Sequence, residues 1–361
     1  MINGALKMEI VFLNESTLSS IPKDTKFFVF GAGALALDSV QFLDKYGLSV
    51  AGYCVDDEYC ADAKPIGGQE VLLLSAVHQH KSSENALIYA VASPTRFRKF
   101  CTDDRFDKIY LIWDCLWKYD EETFQKYEPG YRQTMELFAD DESRKVMRDY
   151  LAAKRTGGAL ADVLNCVDGT YFNDLTKNVS SEGTFVDCGA FDGDTVKKYL
   201  RFIENPNAKV LAIEPDNKNF EILAEKYRNY PQIKCVSCGV WDEDGEICFS
   251  SKGSESSFID TEHGDVKIAV RSIDSLMGGG GKASFINMDV EGAELKAHYG
   301  AYQTIKRDKP ILAISAYHLA KDLATIPHVI KEIAGNDVYN FYLRHHGISA
   351  AELVFYAIPK C

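Results

Sequence analysis

Asp187, Gly189, Asp192 and Gly193 punctuate the stretch TFVDCGAFDGDT, in which a short apolar run empties into a glycine turn and a helix opens near Thr195. Glycines at such a turn let the backbone approach a ligand, and the following helix points free N–H groups and its positive end at it. The pattern Asp-x-Gly-x-x-x-Gly is not the dinucleotide fingerprint, because an acid precedes the first glycine. A carboxylate there suits a cationic or hydroxyl-rich ligand better than a pyrophosphate, since like charges repel in a low-dielectric cleft. The competing reading is a tight βα turn whose acids cap the helix.

Further acids and one histidine extend the pattern. Glu214 closes KVLAIE, about 20–25 residues beyond the glycine turn, where a nucleotide site places a carboxylate for ribose hydroxyls. Its two oxygens accept two hydrogen bonds at once. Asp289 ends NMD at the carboxyl edge of a strand, where open α/β folds hold ligands. Glu291 and Glu294 flank Gly292, and Glu294 reads as a first-turn acid favoured by the helix dipole. His318 follows the next strand and is the candidate general base, because imidazole titrates near neutral pH.

Positioning these residues requires strands that end at them. TFVDC, VLAIE, IKCVSC, ASFINMD and ILAISA read as parallel strands separated mostly by helices. YNFYLR and LVFYAIP, joined by HHGISAAE, read as an antiparallel hairpin. The expected class is therefore α/β, with a seven-stranded sheet.

Taken in order, Tyr171–Phe172, VDCGAFDGDT, AIEPD, CGVWDEDGEI, RSIDSL, MDVEGAE, SAYHLAKDL, FYLRHHG and FYAIP resemble the FkbM-type S-adenosylmethionine-dependent methyltransferases over about the C-terminal half. The resemblance implies a Rossmann-like class I methyltransferase sheet with S-adenosylmethionine as cofactor. It implies cofactor contacts from Asp187, Gly189, Ala190, Asp192, Gly193 and Glu214. Gly239 and Trp241 would border the adenine, with a core role as the alternative for Trp241. Asp289 would lie near the transferring methyl group, and the Tyr-His before a Lys-Asp pair strengthens His318 as base. Arg344 and His345 either contact the acceptor or fix the hairpin turn. The implied reaction is O-methylation of a sugar or glycoconjugate hydroxyl. No metal is required, although Asp289 with a neighbouring acid could hold Mg²⁺.

KFFVFGAGALALDSVQFLDKYG begins another βαβ-like unit: strand Phe27–Phe30, turn Gly31–Gly33, helix Leu35–Tyr46. Ala36 takes the third glycine's place, which the dinucleotide fingerprint tolerates, and Asp56 follows the second strand. This region resembles the small Rossmann-type domain preceding the catalytic part of some sugar acyltransferases. That likeness implies a nucleotide-sugar held by Gly31, Gly33 and Asp56. An empty Rossmann-like site, an NAD-dependent oxidoreductase built on this loop, and a non-catalytic binding module are the alternatives. The expected domains are 1–114 (Rossmann-like), 115–182 (helical connector) and 183–361 (methyltransferase).

Composition narrows the classes further. The 361 residues, 46% hydrophobic and 26% charged, describe an ordinary folded chain long enough for two domains. A net charge of −13 argues against broad nucleic-acid binding. FFVFGAGALAL is too short to span a bilayer. Ten cysteines without a recognisable secretion signal read as reduced thiols of a cytoplasmic protein, and a homo-oligomer stays open. Gly278 to Lys282 imitates a phosphate loop but precedes a strand and lacks the first glycine and the Ser/Thr. Cys235 and Cys238 point to opposite faces of a strand, and His78 and His80 lack further ligands.

Overall fold

The computed structural model describes residues 9–57, 65–66, 69–77, 85–91, 97, 108–112, 118–157, 170–249, 266–347 and 351–360. His78 and His80 lie outside them. The chain falls into two compact units: Met1–Glu122 with Arg148–Asp168 and His346–Ala351, and Thr123–Met147 with Gly169–His345 and Glu352–Cys361. The residues expected as a separate connector are thus divided between the two.

The first unit is built on strands β1 (Glu9–Phe12), β2 (Lys26–Phe30), β3 (Ser49–Val55), β4 (Val71–Leu73), β5 (Asn85–Tyr89) and β6 (Lys108–Leu111), with helices α1 (Glu15–Ser20), α2 (Ala34–Lys45) and α3 (Leu74–Val77). All pairings are parallel, in the order β1-β6-β5-β2-β3-β4. KFFVF buries its last four residues, as a parallel strand covered on both faces must. The strand order reverses at β2, so the Gly31–Gly33 turn leaves the sheet at its switch point.

Helices α4 (Glu121–Leu137) and α5 (Asp141–Thr156) follow, and then the second sheet. That sheet comprises β7 (Thr184–Cys188), β8 (Lys209–Ile213), β9 (Ile233–Val236), β13 (Ala283–Met288), β14 (Ile311–Ser315), β15 (Tyr339–His345) and β16 (Leu353–Pro359), in the order β15-β16-β14-β13-β7-β8-β9. The five inner-to-edge strands β14 through β9 run parallel, and β15–β16 is an antiparallel hairpin. Helices α6 (Asp194–Phe202), α7 (Asn217–Tyr227), α8 (Ile273–Leu276), α9 (Glu294–Gly300), α10 (Tyr302–Asp308) and α11 (Asp322–Ala334) fill the crossovers. Phe185 stacks on Tyr199 at 4.3 Å, and Phe172 packs between Phe185, Tyr199 and Phe285, fixing β7 and β13 side by side.

One element departs from expectation. Between β9 and β13 a separate three-stranded sheet forms from β10 (Gly239–Val240), β11 (Gly245–Phe249) and β12 (Val266–Arg271). Gly278–Gly281 precedes β13, so it is a connection into a strand and not a phosphate cradle.

Candidate active site

β7 is buried over its last four residues, and the fourth of its five is Asp187. This carboxyl is fully buried, takes one hydrogen bond from Asn287 Nδ2 at 2.9 Å, and leaves Oδ2 with no partner. Burial drives its pKa from 3.8 to about 7, and the charges of Asp194, Asp289 and Glu214 push the same way against Asn287.

The turn that follows is shaped by packing as much as by access. Gly189 has φ +83, and a Cβ there would come 1.9 Å from the carbonyl oxygen of Asp289. Its hydrogen therefore lets the loops after β7 and β13 touch backbone to backbone. Gly193 has φ +81, and its Cβ would strike Tyr227 and Leu223 of α7, while Tyr227 Oη donates to Gly193 O at 2.7 Å. Both glycines were expected to clear room for a ligand; contact with neighbouring chain is the reason the geometry gives. Ala190 is buried and its N–H, like that of Gly189, donates to Ile213 O. Asp192 accepts from Asp194 N at 3.0 Å and pairs with Lys226, the capping role of the competing reading.

Glu214 follows β8 and is 6% exposed. Oε2 accepts from Phe191 N at 2.8 Å and Oε1 from Asp216 N at 2.9 Å, which stitches the glycine turn to the turn after β8. The Asn219 side chain is a further hydrogen-bonding neighbour of this carboxylate. Asp216 caps α7 by accepting from Lys218 N and Asn219 N, so this turn is rigid.

Asp289 and His318 meet, as placement at neighbouring strand ends requires. His318 Nε2 lies 3.4 Å from Asp289 Oδ1 and 3.5 Å from Glu291 Oε2, and its Nδ1 lies 2.8 Å from Glu294 Oε1. Asp289 Oδ2 accepts from Tyr171 Oη at 2.8 Å, and that hydroxyl also sits 3.3 Å from Ser315 Oγ. Helix α4 secures the loop beyond His318. Gly130 allows close approach to Ala324, Tyr131 Oη donates to Ala320 O, and Thr134 Oγ1 donates to Leu323 O.

His318 is not poised as a near-neutral base. Burial alone would lower its pKa, but Glu294, Asp289 and Glu291 outweigh burial and raise it to about 10. In this arrangement the ring holds its proton at pH 7 and donates. The residues around a histidine, invisible in its own segment, set its charge.

Residues 187–340 match the family model described as the methyltransferase FkbM domain. This stretch of the chain is similar to FkbM methyltransferase domains. A solved FkbM methyltransferase from Methylobacillus flagellatus KT is 20% identical, with 95% of this chain and 92% of that one covered and a TM-score of 0.63. At that identity it shows the shared fold. An rRNA methylase from Streptococcus thermophilus is 14% identical over 52% of this chain and 92% of its own, at a TM-score of 0.32. No curated protein matches the chain.

The matched stretch contains Asp187, Gly189, Ala190, Asp192, Gly193, Glu214, Gly239, Trp241, Asp289 and His318. Gly239 is buried in β10, with Val270 and Ile268 of β12 against the place a Cβ would take. The Trp241 ring carries the Lys296 ammonium at 5.5 Å, and its carbonyl lies against Gly300. Arg344 bonds Asp140 at 2.6 Å, Glu142 at 3.1 Å and Ser143 Oγ at 2.9 Å, which ties β15 to the start of α5. His345 pairs with Leu353 in the hairpin.

Glu294 is the first-turn acid of α9, as expected, and it does more than that: it is 0% exposed, accepts from Val290 N and partners His318. The spacing of VEGAE carries no signal of this, because the partner lies 24 residues on. Tyr171 was part of the resembling set, but its bond to Asp289 spans 118 residues.

Gly31, Gly33 and Asp56 belong to the first unit. Gly31 has φ +129 and its Cβ would lie 2.5 Å from Ala90 O, so it serves close packing of β2 against the exit of β5. Gly33 precedes α2 with nothing among the described residues within 4 Å of its Cβ position, which leaves the helix start open on their side. Asp56 follows β3, and with burial it holds the Cys54 thiol well above its usual pKa. All five described cysteines are free thiols, Cys235 and Cys238 included. Among the described residues no helix is long and apolar enough to cross a membrane.

Proposed function

We propose that the chain is an S-adenosylmethionine-dependent methyltransferase acting on a hydroxyl of a sugar or glycoconjugate. The observation that carries this reading is the orphaned Asp187 Oδ2, buried beside Glu214 inside the stretch similar to FkbM methyltransferase domains. A sulfonium-and-ammonium ligand supplies the missing positive charge, and the Glu214 carboxylate suits ribose hydroxyls. Bound S-adenosylmethionine would supply a methyl group made electrophilic by its sulfonium. The chain's own part is placement. Asp187 and the loop amides hold the amino-acid end, Glu214 holds the ribose, and Trp241 borders the adenine. The carboxylates of Asp289 and Glu291 orient the acceptor hydroxyl by accepting its hydrogen.

The first unit is proposed to hold a nucleotide-sugar at its switch point, supported by the reversal of strand order at β2 and the open start of α2. Calorimetry with S-adenosylhomocysteine tests the central claim. Saturable one-to-one binding is expected, and melting stabilised by NAD alone would overturn it in favour of an oxidoreductase.

A further inference from the structure

Asp289, Glu291 and His318 each offer one ligand-type atom, and these atoms all lie within 4.8 Å of one another. Two of the groups make no hydrogen bond at that end among the described residues. His318 is 9% exposed and its Nε2 is buried with no hydrogen-bond partner, as is Asp289 Oδ1. A structural ion pair would close these distances into hydrogen bonds. At 3.4 and 3.5 Å, Nε2 lies within ion-pair range of both carboxylates and hydrogen-bonds to neither.

We propose that Asp289, Glu291 and His318 form a divalent-cation site, with Glu294 as the outer carboxylate that fixes the imidazole. Metal-bound histidines characteristically give their other ring nitrogen to a carboxylate, which sets the tautomer, and a cation bound at Nε2 would displace the proton the ring otherwise carries there. Glu294 Oε1, 2.8 Å from Nδ1 and itself tied to Val290 N, occupies that place. The backbone aims the third ligand: Glu291 takes φ +53 immediately before Gly292 at φ +94, a conformation that costs a non-glycine residue energy. Glu291 is also 42% exposed, so the cluster is open on one side. Three protein ligands with an open side is the arrangement of a catalytic metal site, not a closed structural one. One imidazole nitrogen with two carboxylate oxygens suits Mn²⁺, Fe²⁺ or Zn²⁺ better than Mg²⁺, which prefers oxygen alone. The open side would take an acceptor with neighbouring oxygens; that last clause alone rests on the methyltransferase reading.

The test is Mn²⁺ titration of the chelator-stripped full chain, followed by loss of the free-ion electron paramagnetic resonance signal. One saturable site per chain is expected, weakened about tenfold or more by Glu291→Gln and by Asp289→Asn. Glu291 is partly exposed, so its variant reads the site without threatening the fold. Unchanged affinity in both variants, or no saturable site, overturns the proposal. S-adenosylhomocysteine calorimetry in chelator separates the two readings. Binding there with no Mn²⁺ site refutes the cation alone, and an Mn²⁺ site without that binding upholds the cation while refuting the methyl donor.

Discussion

Nδ1 of His318 lies 2.8 Å from Oε1 of Glu294, with the two side chains 9% and 0% exposed. Each needs the other. Burial would push Glu294 towards its neutral form, yet the facing imidazole holds its pKa below the usual value. Taking one partner from a buried pair leaves an uncompensated charge.

Glu294→Gln keeps the shape and removes that charge. The variant is expected to lose about 3–5 kcal/mol of stability, read by urea unfolding at pH 7 in the presence of chelator. Stability equal to the original chain would show that the pair contributes nothing.

Asp187 should oppose stability and binding to each other. Its folded pKa is raised from 3.8 to about 7. Its stabilising contribution is therefore fully present below about pH 4 and is lost as pH rises through 7, when the folded state must carry a buried charge. Asp187→Asn escapes that loss. At pH 8 it should be more stable by roughly 2–4 kcal/mol, with the gap closing towards pH 4. Its affinity for S-adenosylhomocysteine should fall about tenfold. A gap independent of pH would exclude Asp187 as the titrating group.

What the sequence made legible is what each segment carries by itself. The apolar runs that became β7, β8, β9, β13 and β14 declare buried parallel strands, and Gly31–Gly33 declares a turn at a strand end. The small sheet did not declare itself, because Gly239–Val240 is two residues long and becomes a strand only through pairing with Val270 and Arg271. Site roles that depend on distant partners were equally hidden. Nothing near Arg344 announces Asp140, 204 residues earlier, and nothing in VEGAE announces that His318 will bury Glu294. Position at a strand's carboxyl end was enough to bring Asp289 and His318 together; it was not enough to assign their charges.

The glycines make a contrast that substitution can read. Gly189→Ala would set a Cβ 1.9 Å from Asp289 O at a φ of +83, so the loops after β7 and β13 must separate. We expect destabilisation of more than about 2 kcal/mol and loss of S-adenosylhomocysteine binding. Gly33→Ala meets nothing among the described residues within 4 Å and should melt within a degree or two of the original chain. Equal melting of the two variants would contradict the backbone contact.

Arg344 supplies the last contrast, between an acceptor ligand and a brace. Its guanidinium holds Asp140, which also caps α5 by accepting from Ser143 N at 2.8 Å. Burial would raise the Asp140 carboxyl, but Arg344 and Ser143 overcome it and lower the pKa to about 2. The bracing is thus fully present above about pH 4 and lost as pH falls through 2. With side chains 16% and 32% exposed, water weakens the pair, and Arg344→Gln should cost on the order of 1 kcal/mol. That cost should appear as a lower melting temperature at pH 6, shrink between pH 4 and pH 2, and leave S-adenosylhomocysteine affinity untouched. An unchanged melting temperature at pH 6 would return Arg344 to the list of acceptor contacts, since a brace that costs nothing to remove braces nothing.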